Sequence, residues 1–310
     1  MDDASCLERA TASVSSRSGG SSRFGLPISP EALELWDEIE RLDLVRNIAE
    51  LEVLGWTVIP PEQAAPPGFC ERLRDKILEV AARRDGRPAD REAGATHTRT
   101  HRPIGGLYTY LLFEDPIFQE AMCNEVGMAL TTYLLGKNAI ASNCIGGLKG
   151  PGEADLGLHC DNALMVAPFP PIPQVCNITY ALTDYSRENG ALCFVPGSHK
   201  YLRHPAPGEG LDQRVPVECR AGSIIFWGGN AWHGAFARTA PGLRINLIMA
   251  MMRSHMRPQE PYRETVTQAI LDANPPRFAT LMGQHLNYGW KEEGPQNEAT
   301  AYNVSRHAYD

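Results

Sequence analysis

The feature that most constrains the fold is a run of short apolar segments between residues 139 and 251, separated by Gly, Pro, Asn and Asp. Eight candidate strands follow one another without an intervening helix. This pattern is typical of an antiparallel sandwich or jelly roll rather than a parallel α/β sheet. The predicted strands cover residues 139–148, 156–161, 174–183, 191–195, 215–219, 223–227, 232–237 and 243–251.

The region before these strands is predicted to be mainly helical. Ser29-Pro30 has the pattern of an N-cap followed by Pro at the first helical position, and apolar residues then recur at helical spacing. Further helices are predicted up to Leu54, over 66–84 and over 114–135, with short strands at 56–60 and 105–113. We expect the early helices to pack against one outer face of the sheets, which gives a mainly β fold with flanking α-helices.

Length and composition limit the domain organisation and the class of partner. Residues 1–25 are rich in Ser, Gly and Arg and are predicted to be a disordered tail, followed by a single domain over 26–310 with its core at about 139–251. The net charge of -8 argues against a nucleic-acid surface, which needs a basic face. No apolar run of about 18 residues is present, so we expect no membrane span.

The cysteines and the N-terminus favour a cytoplasmic protein. The chain has eight cysteines, none of them in a Cys-x-x-Cys pair, and most lie inside apolar runs. Reduced core thiols explain this pattern better than disulfides or a zinc site. Residues 1–20 contain no apolar stretch of the kind found in a secretory signal.

One short segment, His159-Cys160-Asp161, combines two metal-ligating residue types at strand spacing. Residues i and i+2 of a strand point to the same face, so His159 and Asp161 are predicted to project together. An imidazole and a carboxylate side by side are two of the three ligands of a 2-His-1-carboxylate iron site. The alternative is a chance His-x-Asp in a chain with nine His.

A third ligand must come from a distant part of the sequence. The candidates are His199, His204, His233, His255, His285 and His307. His199 lies in a Pro-Gly-Ser-His turn that favours local hydrogen bonds, whereas His233 follows a predicted strand and a Gly-Gly-Asn loop. Taken alone, His233 is more typical of a core histidine.

Arg244 favours a ligand role for His233 over a core role. It lies eleven residues after His233 in the last strand, which is very apolar. A guanidinium that points inward from such a strand must meet an anion. An internal Asp or Glu is one possible partner. The distal carboxylate of 2-oxoglutarate, which a guanidinium can bind through two parallel hydrogen bonds, is the other.

Taken together, the motifs resemble those of the phytanoyl-CoA dioxygenase (PhyH) family of Fe(II)/2-oxoglutarate-dependent oxygenases. They run in family order from about residue 50 to 250. The matching pieces are Gly55-Trp56-Thr57-Val58-Ile59, His159-Cys160-Asp161, Ala181-Leu182-Thr183-Asp184, Glu188-Asn189-Gly190-Ala191-Leu192, Pro196-Gly197-Ser198-His199-Lys200, Ala221-Gly222-Ser223, His233 and Arg244.

This resemblance implies a double-stranded β-helix (jelly roll, cupin-like) core. It also implies His159, Asp161 and His233 as the iron ligands and catalytic residues, and Arg244 as the 2-oxoglutarate anchor. Lys149 has a counterpart in family members, but its role stays open. By alternation we expect Asn177 and Thr179 to point inward and help to bind 2-oxoglutarate.

Three positions depart from the pattern of the family. Many members carry Trp where this chain has Thr179, and some carry Thr where it has Leu192. Some relatives carry Gln three residues before the first ligand histidine, where this chain has Leu156. That contact therefore cannot be carried over to this chain.

The ligand set implies an oxidoreductase that uses Fe(II), 2-oxoglutarate and O2 and releases succinate and CO2. Halogenating relatives lack the carboxylate ligand, so Asp161 favours hydroxylation, desaturation or cyclisation of a small-molecule substrate, for example in secondary metabolism. A cupin-like metal-dependent hydrolase or isomerase is one alternative. A non-catalytic barrel that serves as a binding protein is another.

The sequence does not identify the substrate or the oligomeric state. Aromatic and apolar residues that could line the substrate pocket are Phe169, Ile172, Trp227 and Tyr108. The Pro-rich segment 167–173 is predicted to be a stiff wall of the site. Residues 85–104, which contain a basic cluster, and residues 201–212 are predicted to be lids.

Overall fold

The computed structural model describes residues 30–94, 106–152, 154–162, 165–284, 290–291 and 294–295. The helices are α1 (Pro30–Arg41), α2 (Val45–Leu54), α3 (Pro61–Ala64), α4 (Phe69–Asp85), α5 (Pro116–Met122), α6 (Glu125–Leu135), α7 (Tyr262–Thr265), α8 (Gln268–Asp272) and α9 (Pro276–Leu281). Two 3-10 turns lie at Ser198–Tyr201 and Leu211–Gln213.

The structure describes twelve strands, of which ten form two packed antiparallel sheets and the last two pair with each other. They are β1 (Trp56–Ile59), β2 (Gly106–Tyr108), β3 (Ile140–Lys149), β4 (Leu156–His159), β5 (Val175–Ala181), β6 (Leu192–Phe194), β7 (Val215–Pro216), β8 (Ile224–Gly228), β9 (His233–Ala235), β10 (Arg244–Met252), β11 (Trp290–Lys291) and β12 (Gly294–Pro295). A six-stranded sheet has the order β1-β8-β5-β10-β3-β2, and a four-stranded sheet has the order β4-β9-β6-β7. The predicted mainly β jelly roll with flanking helices is confirmed.

Side-chain alternation on β10 divides the six-stranded sheet into a helix face and an inner face. The odd-numbered residues from Ile245 to Met251 join the large apolar core that also contains the early helices. The even-numbered residues point to the other face, which the four-stranded sheet covers. They include the polar Arg244 and Asn246, both buried.

The space between the sheets is lined by a second, smaller core. Its apolar members come from both sheets and include Ile225 and Trp227 of β8 and Phe194 of β6. Buried polar side chains of β5 and β10 share this space, among them Asn177 and Thr179. The interior of the barrel is therefore partly polar, which is typical of a binding site rather than of a purely structural core.

Several predicted elements differ in extent from those observed. The strand predicted over 105–113 is observed only at Gly106–Tyr108 and gives way to a turn, and the strand at 215–219 is only Val215–Pro216. The helix predicted over 114–135 is two helices, because the Asn124 side chain caps the second by accepting a hydrogen bond from the Gly127 N–H. The helices after β10 were not predicted.

The predicted tail, residues 1–25, lies outside the described residues. Among the helices that the structure describes, none is long and apolar enough to cross a membrane.

Candidate metal centre

Three potential metal ligands meet where the four-stranded sheet faces the barrel interior. His159 ends β4 and His233 begins β9, and these two residues are direct partners in the antiparallel β4–β9 pairing. Asp161 follows His159 at the i+2 position. The ligand atoms of the three side chains all lie within 4.8 Å of one another, so the structure brings together the three residues predicted from the sequence as candidate ligands.

The two imidazoles present their Nε2 atoms to the carboxylate. His159 Nε2 lies 3.8 Å from Asp161 Oδ1, and His233 Nε2 lies 3.5 Å from Asp161 Oδ2. The imidazole centroids are 4.3 Å apart. Two nitrogens and one oxygen that converge in this way form the donor set of a facial triad.

Each imidazole is oriented by the backbone carbonyl two residues before it. His159 Nδ1 lies 2.9 Å from the Gly157 carbonyl oxygen, and His233 Nδ1 lies 3.0 Å from that of Ala231. A carbonyl only accepts hydrogen bonds, so each Nδ1 must carry the proton. Both Nε2 lone pairs are therefore left for a metal ion.

Asp161 is held at its backbone by one hydrogen bond and at its carboxylate by another. The Asp161 N–H donates to the Gly229 carbonyl at 2.9 Å, and the Asn177 Nδ2 donates to Asp161 Oδ2 at 2.6 Å. We predicted that Asn177 points inward, which the structure shows. Its described contact, however, is with the candidate metal ligand.

The site is closed on one side and open on the other. The His233 side chain is only 5% exposed and packs against the rings of Phe194 and Trp227, with centroids 5.8 Å and 5.1 Å away. Burial lowers the pKa of His233 by more than the Asp161 carboxylate raises it, which favours the neutral, ligating imidazole. The His159 side chain is 39% exposed, so access is from the β4 side.

Arg244 enters the same interior from the start of β10. Its guanidinium is buried, Nη1 donates to the Gly190 carbonyl at 2.5 Å, and it lies 5.3 Å from the centre of the Tyr185 ring. Within the described part of the chain, its Nε has no hydrogen-bond partner and no carboxylate forms an ion pair with it. The internal Asp or Glu partner that the sequence left open is thus absent from the described part of the chain.

Other buried polar atoms near Arg244 and the triad also lack partners within the described ranges. They include Thr179 Oγ1, Trp227 Nε1 and Asn246 Oδ1. A buried polar atom without a partner is costly unless a ligand or water satisfies it. Thr179, Trp227 and Asn246 all lie on the inner face of the six-stranded sheet, so a polar ligand in this space would meet several unsatisfied groups.

The sequence matches a known family over most of its length. The profile of the family described as "Phytanoyl-CoA dioxygenase (PhyH)" matches residues 55–246. The chain belongs to the phytanoyl-CoA dioxygenase family. It is therefore an oxidoreductase of the dioxygenase class, and the residues assembled here lie inside the matched range.

Relatives of this PhyH-family chain include named dioxygenases of fungi. "Dioxygenase af480" of Aspergillus fumigatus is 26% identical over 258 residues, which cover 79% of this chain and 82% of that protein. "Dioxygenase cdmA" of Talaromyces verruculosus is 30% identical over 141 residues, which cover 43% of this chain and 46% of that protein.

Solved structures with the same fold include two enzymes. HygX from Streptomyces hygroscopicus, solved with nickel and 2-oxoglutarate bound, superposes with a TM-score of 0.55 at 17% identity, covering 69% of this chain and 88% of HygX. SnoN, a non-heme alpha ketoglutarate dependent epimerase from nogalamycin biosynthesis, gives a TM-score of 0.52 at 20% identity, covering 71% and 86%. At these identities the likeness shows the shared jelly-roll fold.

The predicted pocket residues of this PhyH-family chain are not all brought to the triad. Trp227 contacts His233. Tyr108 lies on the helix face of the sheet, where its hydroxyl donates to Asp85 at 2.6 Å, so it does not line the interior. Phe169 is buried against His204, and Ile172 is 57% exposed.

The segment 201–212 does not cover the triad as we predicted. Cys160 points away from its ligand neighbours, and its Sγ lies 3.2 Å from His204 Nδ1. The Trp232 indole N–H donates to the Arg203 carbonyl at 2.8 Å. This segment therefore packs on the outer face of the four-stranded sheet. Of the other predicted lid, residues 95–104 lie outside the described residues.

His199 and Lys149 have structural contacts. The His199 ring packs so closely beneath Gly55 that an added Cβ there would lie 2.6 Å from its Nδ1, and it is not part of the triad. Lys149 is buried, and its Nζ donates to the carbonyls of Phe236 and Ala154 at 2.7 and 3.1 Å. Lys149 thus ties the end of β3 to the segments beside β4 and β9.

Tyr185 and Asn246 were not predicted as site residues. The Asn246 Nδ2 donates to the Tyr185 hydroxyl at 2.9 Å beside the Arg244 guanidinium. Asn246 could have been found from sequence, because it is two residues after Arg244 in a strand and therefore shares its face. Tyr185 follows β5 and gave no comparable signal.

Proposed function

We propose that this chain is a non-haem Fe(II)/2-oxoglutarate-dependent dioxygenase that acts on a small molecule. One observation carries the proposal: two imidazole Nε2 atoms and a carboxylate converge in a barrel that also contains a buried guanidinium with no carboxylate partner among the described residues. The two imidazoles and the carboxylate suit a divalent iron ion, and the guanidinium suits the distal carboxylate of the co-substrate.

The donor set fits iron. Two nitrogen donors and one oxygen donor on one side of a metal ion leave the opposite positions free for other ligands. His159, Asp161 and His233 would hold the ion, with the Gly157 and Ala231 carbonyls fixing the imidazole orientation. The Asn177 amide donates a hydrogen bond to Oδ2 of Asp161 and so holds the carboxylate in place.

The barrel interior fits 2-oxoglutarate. Arg244 would bind the distal carboxylate, because its buried Nε needs an acceptor and a buried cation needs a counter-charge. Thr179 Oγ1 and Trp227 Nε1 offer further hydrogen bonds between that end and the triad. The strands hold these groups before the ligand arrives, which reduces the entropy cost of binding.

Bound iron, 2-oxoglutarate and O2 together supply an oxidant that can break a substrate C–H bond, with release of succinate and CO2. The chain's own residues fix the positions of the reactants. His233, with Phe194 and Trp227 around it, keeps one side of the centre free of water. The side beside the more exposed His159 is where a substrate would enter. Hydroxylation, desaturation and cyclisation all fit this arrangement.

The metabolic role and the cellular compartment are proposed from a structural relative and from the cysteines. The nogalamycin origin of SnoN supports a substrate from secondary metabolism. The free state of every cysteine that the structure describes fits a reducing, cytoplasmic compartment.

The test is a substrate screen with the purified protein, Fe(II), 2-oxoglutarate and ascorbate, scored by succinate release and by the mass of the product. We expect succinate that depends on both iron and O2, and a product whose mass changes by one oxygen atom or by two hydrogens. Substrate turnover that does not need 2-oxoglutarate would contradict the proposal and favour a hydrolase or isomerase.

A further inference from the structure

A β-bulge beside the candidate metal centre recruits a segment from beyond β10. In the β3–β10 pairing Ala250 is opposite Asn143, but Met251 is opposite Ala141, so Ser142 has no partner across the sheet. Its backbone carbonyl accepts from the Glu260 N–H at 2.9 Å, and its hydroxyl accepts from the Gln259 N–H at 3.2 Å. The bulge therefore docks residues 259–260 onto β3.

Asn143, the residue after the bulge, lies on the inner face because it pairs in regular register with Ala250. Asn143 pairs with Ala250, and Ala250 pairs with Asn177, whose amide holds Asp161. Paired residues share a face, and two strand spacings amount to about 10 Å. The small Ala250 side chain, which is 7% exposed, lies between Asn143 and Asn177, so side-chain volume is low at this part of the inner face.

A chain of hydrogen bonds fixes the orientation of the Gln259 amide. The Ala250 N–H donates to Asn143 Oδ1 at 3.0 Å, so Asn143 Nδ2 is the atom that faces Gln259. It donates to Gln259 Oε1 at 2.9 Å. The Gln259 Nε2 is thereby turned away from Asn143, and it makes no hydrogen bond to a residue in the described ranges. Gln259 is an exposed residue, so its two Nε2 donors are open to water or to a ligand.

Apolar surface adjoins this amide. Ile145 and Ile248 are directly paired, and they share the inner face with Asn143 and Ala250. Each is the one residue of its strand, β3 or β10, that is partly exposed while all the others are buried. These two side chains therefore present partly exposed apolar surface beside Asn143 and Ala250.

We propose that Gln259, Ile145 and Ile248 form a substrate subsite over Ala250, and that it takes a neutral small molecule with an apolar skeleton and an oxygen acceptor. The acceptor is a carbonyl, hydroxyl or ether oxygen that receives hydrogen bonds from Gln259 Nε2. Asn143 is a positioning residue that acts through Gln259. This inference rests on the proposed function, because it names the substrate class of that same site.

The uncharged amide explains the preference for a neutral partner. Gln259 supplies donors but no charge to balance a carboxylate, and the next residue, Glu260, is a buried carboxyl group. An ammonium group cannot accept a hydrogen bond. A neutral acceptor can use the amide donors without needing a counter-charge, which Gln259 does not supply.

The experiment uses one rigid skeleton with different polar groups: 2-adamantanone, 1-adamantanol, adamantane-1-carboxylate and 1-adamantylammonium. Binding to the full chain, loaded with Zn(II) and 2-oxoglutarate so that no turnover occurs, is measured by saturation-transfer NMR. We expect the ketone and the alcohol to bind more tightly than either ion. Gln259→Ala should weaken the ketone about 3- to 10-fold, as expected for the loss of one hydrogen bond.

Gln259→Glu gives the sharper outcome. It keeps the shape but replaces donors with a negative charge, so the preference should change from the ketone to the ammonium compound. Gln268→Ala, on an exposed helix, is the control and should change nothing. No saturation transfer from the ketone, or equal ketone affinity in wild type and Gln259→Ala, overturns the subsite. Failure of 2-oxoglutarate and metal to raise the melting temperature of wild type would instead overturn the proposed function.

Discussion

At the scale of single residues, the candidate metal centre depends on small contacts that fix larger groups. The backbone carbonyls of Gly157 and Ala231 determine which imidazole nitrogen carries the proton. One amide, that of Asn177, holds a carboxylate oxygen. Such contacts around the ligands orient the ligand atoms and therefore contribute to metal affinity.

Replacing any of His159, Asp161 or His233 by Ala should abolish metal binding and turnover while the fold survives. Each change removes one of three donors, and the two that remain hold a divalent ion much less tightly. Metal content by mass spectrometry and circular dichroism check this. His255→Ala, which changes an exposed histidine outside the triad, is the control. Full metal occupancy in any of the three variants would remove that residue from the site.

Asn177→Ala should weaken metal binding about 10- to 100-fold, because Asp161 loses the hydrogen bond that orients it. Competition with a metal chelator measures the change. If the affinity for 2-oxoglutarate falls and metal affinity stays the same, Asn177 contacts the co-substrate instead, as we predicted from the sequence.

Arg244→Lys keeps the charge but loses the planar pair of donors, so 2-oxoglutarate should bind less tightly. A hydrogen bond to a charged group contributes about 1.5–3 kcal/mol, or about 10- to 150-fold in affinity. The charge-transfer absorbance of the anaerobic Fe(II) complex, titrated with 2-oxoglutarate, gives the dissociation constant. An unchanged constant would assign Arg244 a structural role.

At the scale of elements, the segment 201–212 is held firmly against the outer face of the four-stranded sheet. Arg203 forms a bidentate pair with Glu209, both bonds being 2.7 Å. The Phe169 N–H donates to the Leu202 carbonyl at 2.7 Å. The segment therefore supports the strands that carry the ligands. Its Pro and Gly content led us to predict a lid, but such residues also occur in loops that pack firmly on a sheet.

The Arg203–Glu209 pair should stabilise the protein in a pH-dependent way. The hydrogen bond from Arg203 lowers the pKa of Glu209 from 4.5 to about 2. Because the folded pKa is the lower one, the stabilisation is present above about pH 4.5 and is lost as the pH falls towards 2. Glu209→Gln should therefore melt at a lower temperature than wild type at pH 7, and the difference should shrink below pH 4.5. A constant difference at every pH would contradict this.

At the scale of the whole molecule, the barrel contains a buried charge that a ligand would balance. Arg238 lies near Arg244, and both guanidinium groups donate to backbone carbonyls. Burial, reinforced by the charge of Arg244, lowers the pKa of Arg238. Without an anion, this end of the barrel is electrostatically unfavourable.

Binding of 2-oxoglutarate with a divalent metal should therefore raise the melting temperature of the folded chain. A ligand at 100 times its dissociation constant stabilises the folded state by about 2.7 kcal/mol. Differential scanning fluorimetry with Zn(II) measures the shift. Arg244→Gln should show little shift with 2-oxoglutarate, because the counter-charge is gone. An equal shift in Arg244→Gln and wild type would place the co-substrate elsewhere.

The sequence alone determined the elements that depend on local pattern. Alternating apolar residues and turn residues predict the strands of the jelly roll, because side-chain direction in a strand has period two. The same period predicts that His159 and Asp161 share a face. Motif order then supplied His233 and Arg244, which lie 74 and 85 residues after His159. In the structure, both residues begin strands and point into the barrel interior.

Only the tertiary structure decided which distant side chains meet. Tyr108 and Trp227 are both strand aromatics in the sequence, yet one faces the helices and the other faces His233. The bulge at Ser142 depends on the pairing of β3 with β10, and neither strand shows it alone. The contacts of Asn177 and Gln259 likewise depend on strand register and on backbone atoms far away in the chain. Register is fixed by packing across the whole sheet, so a local pattern cannot reveal it.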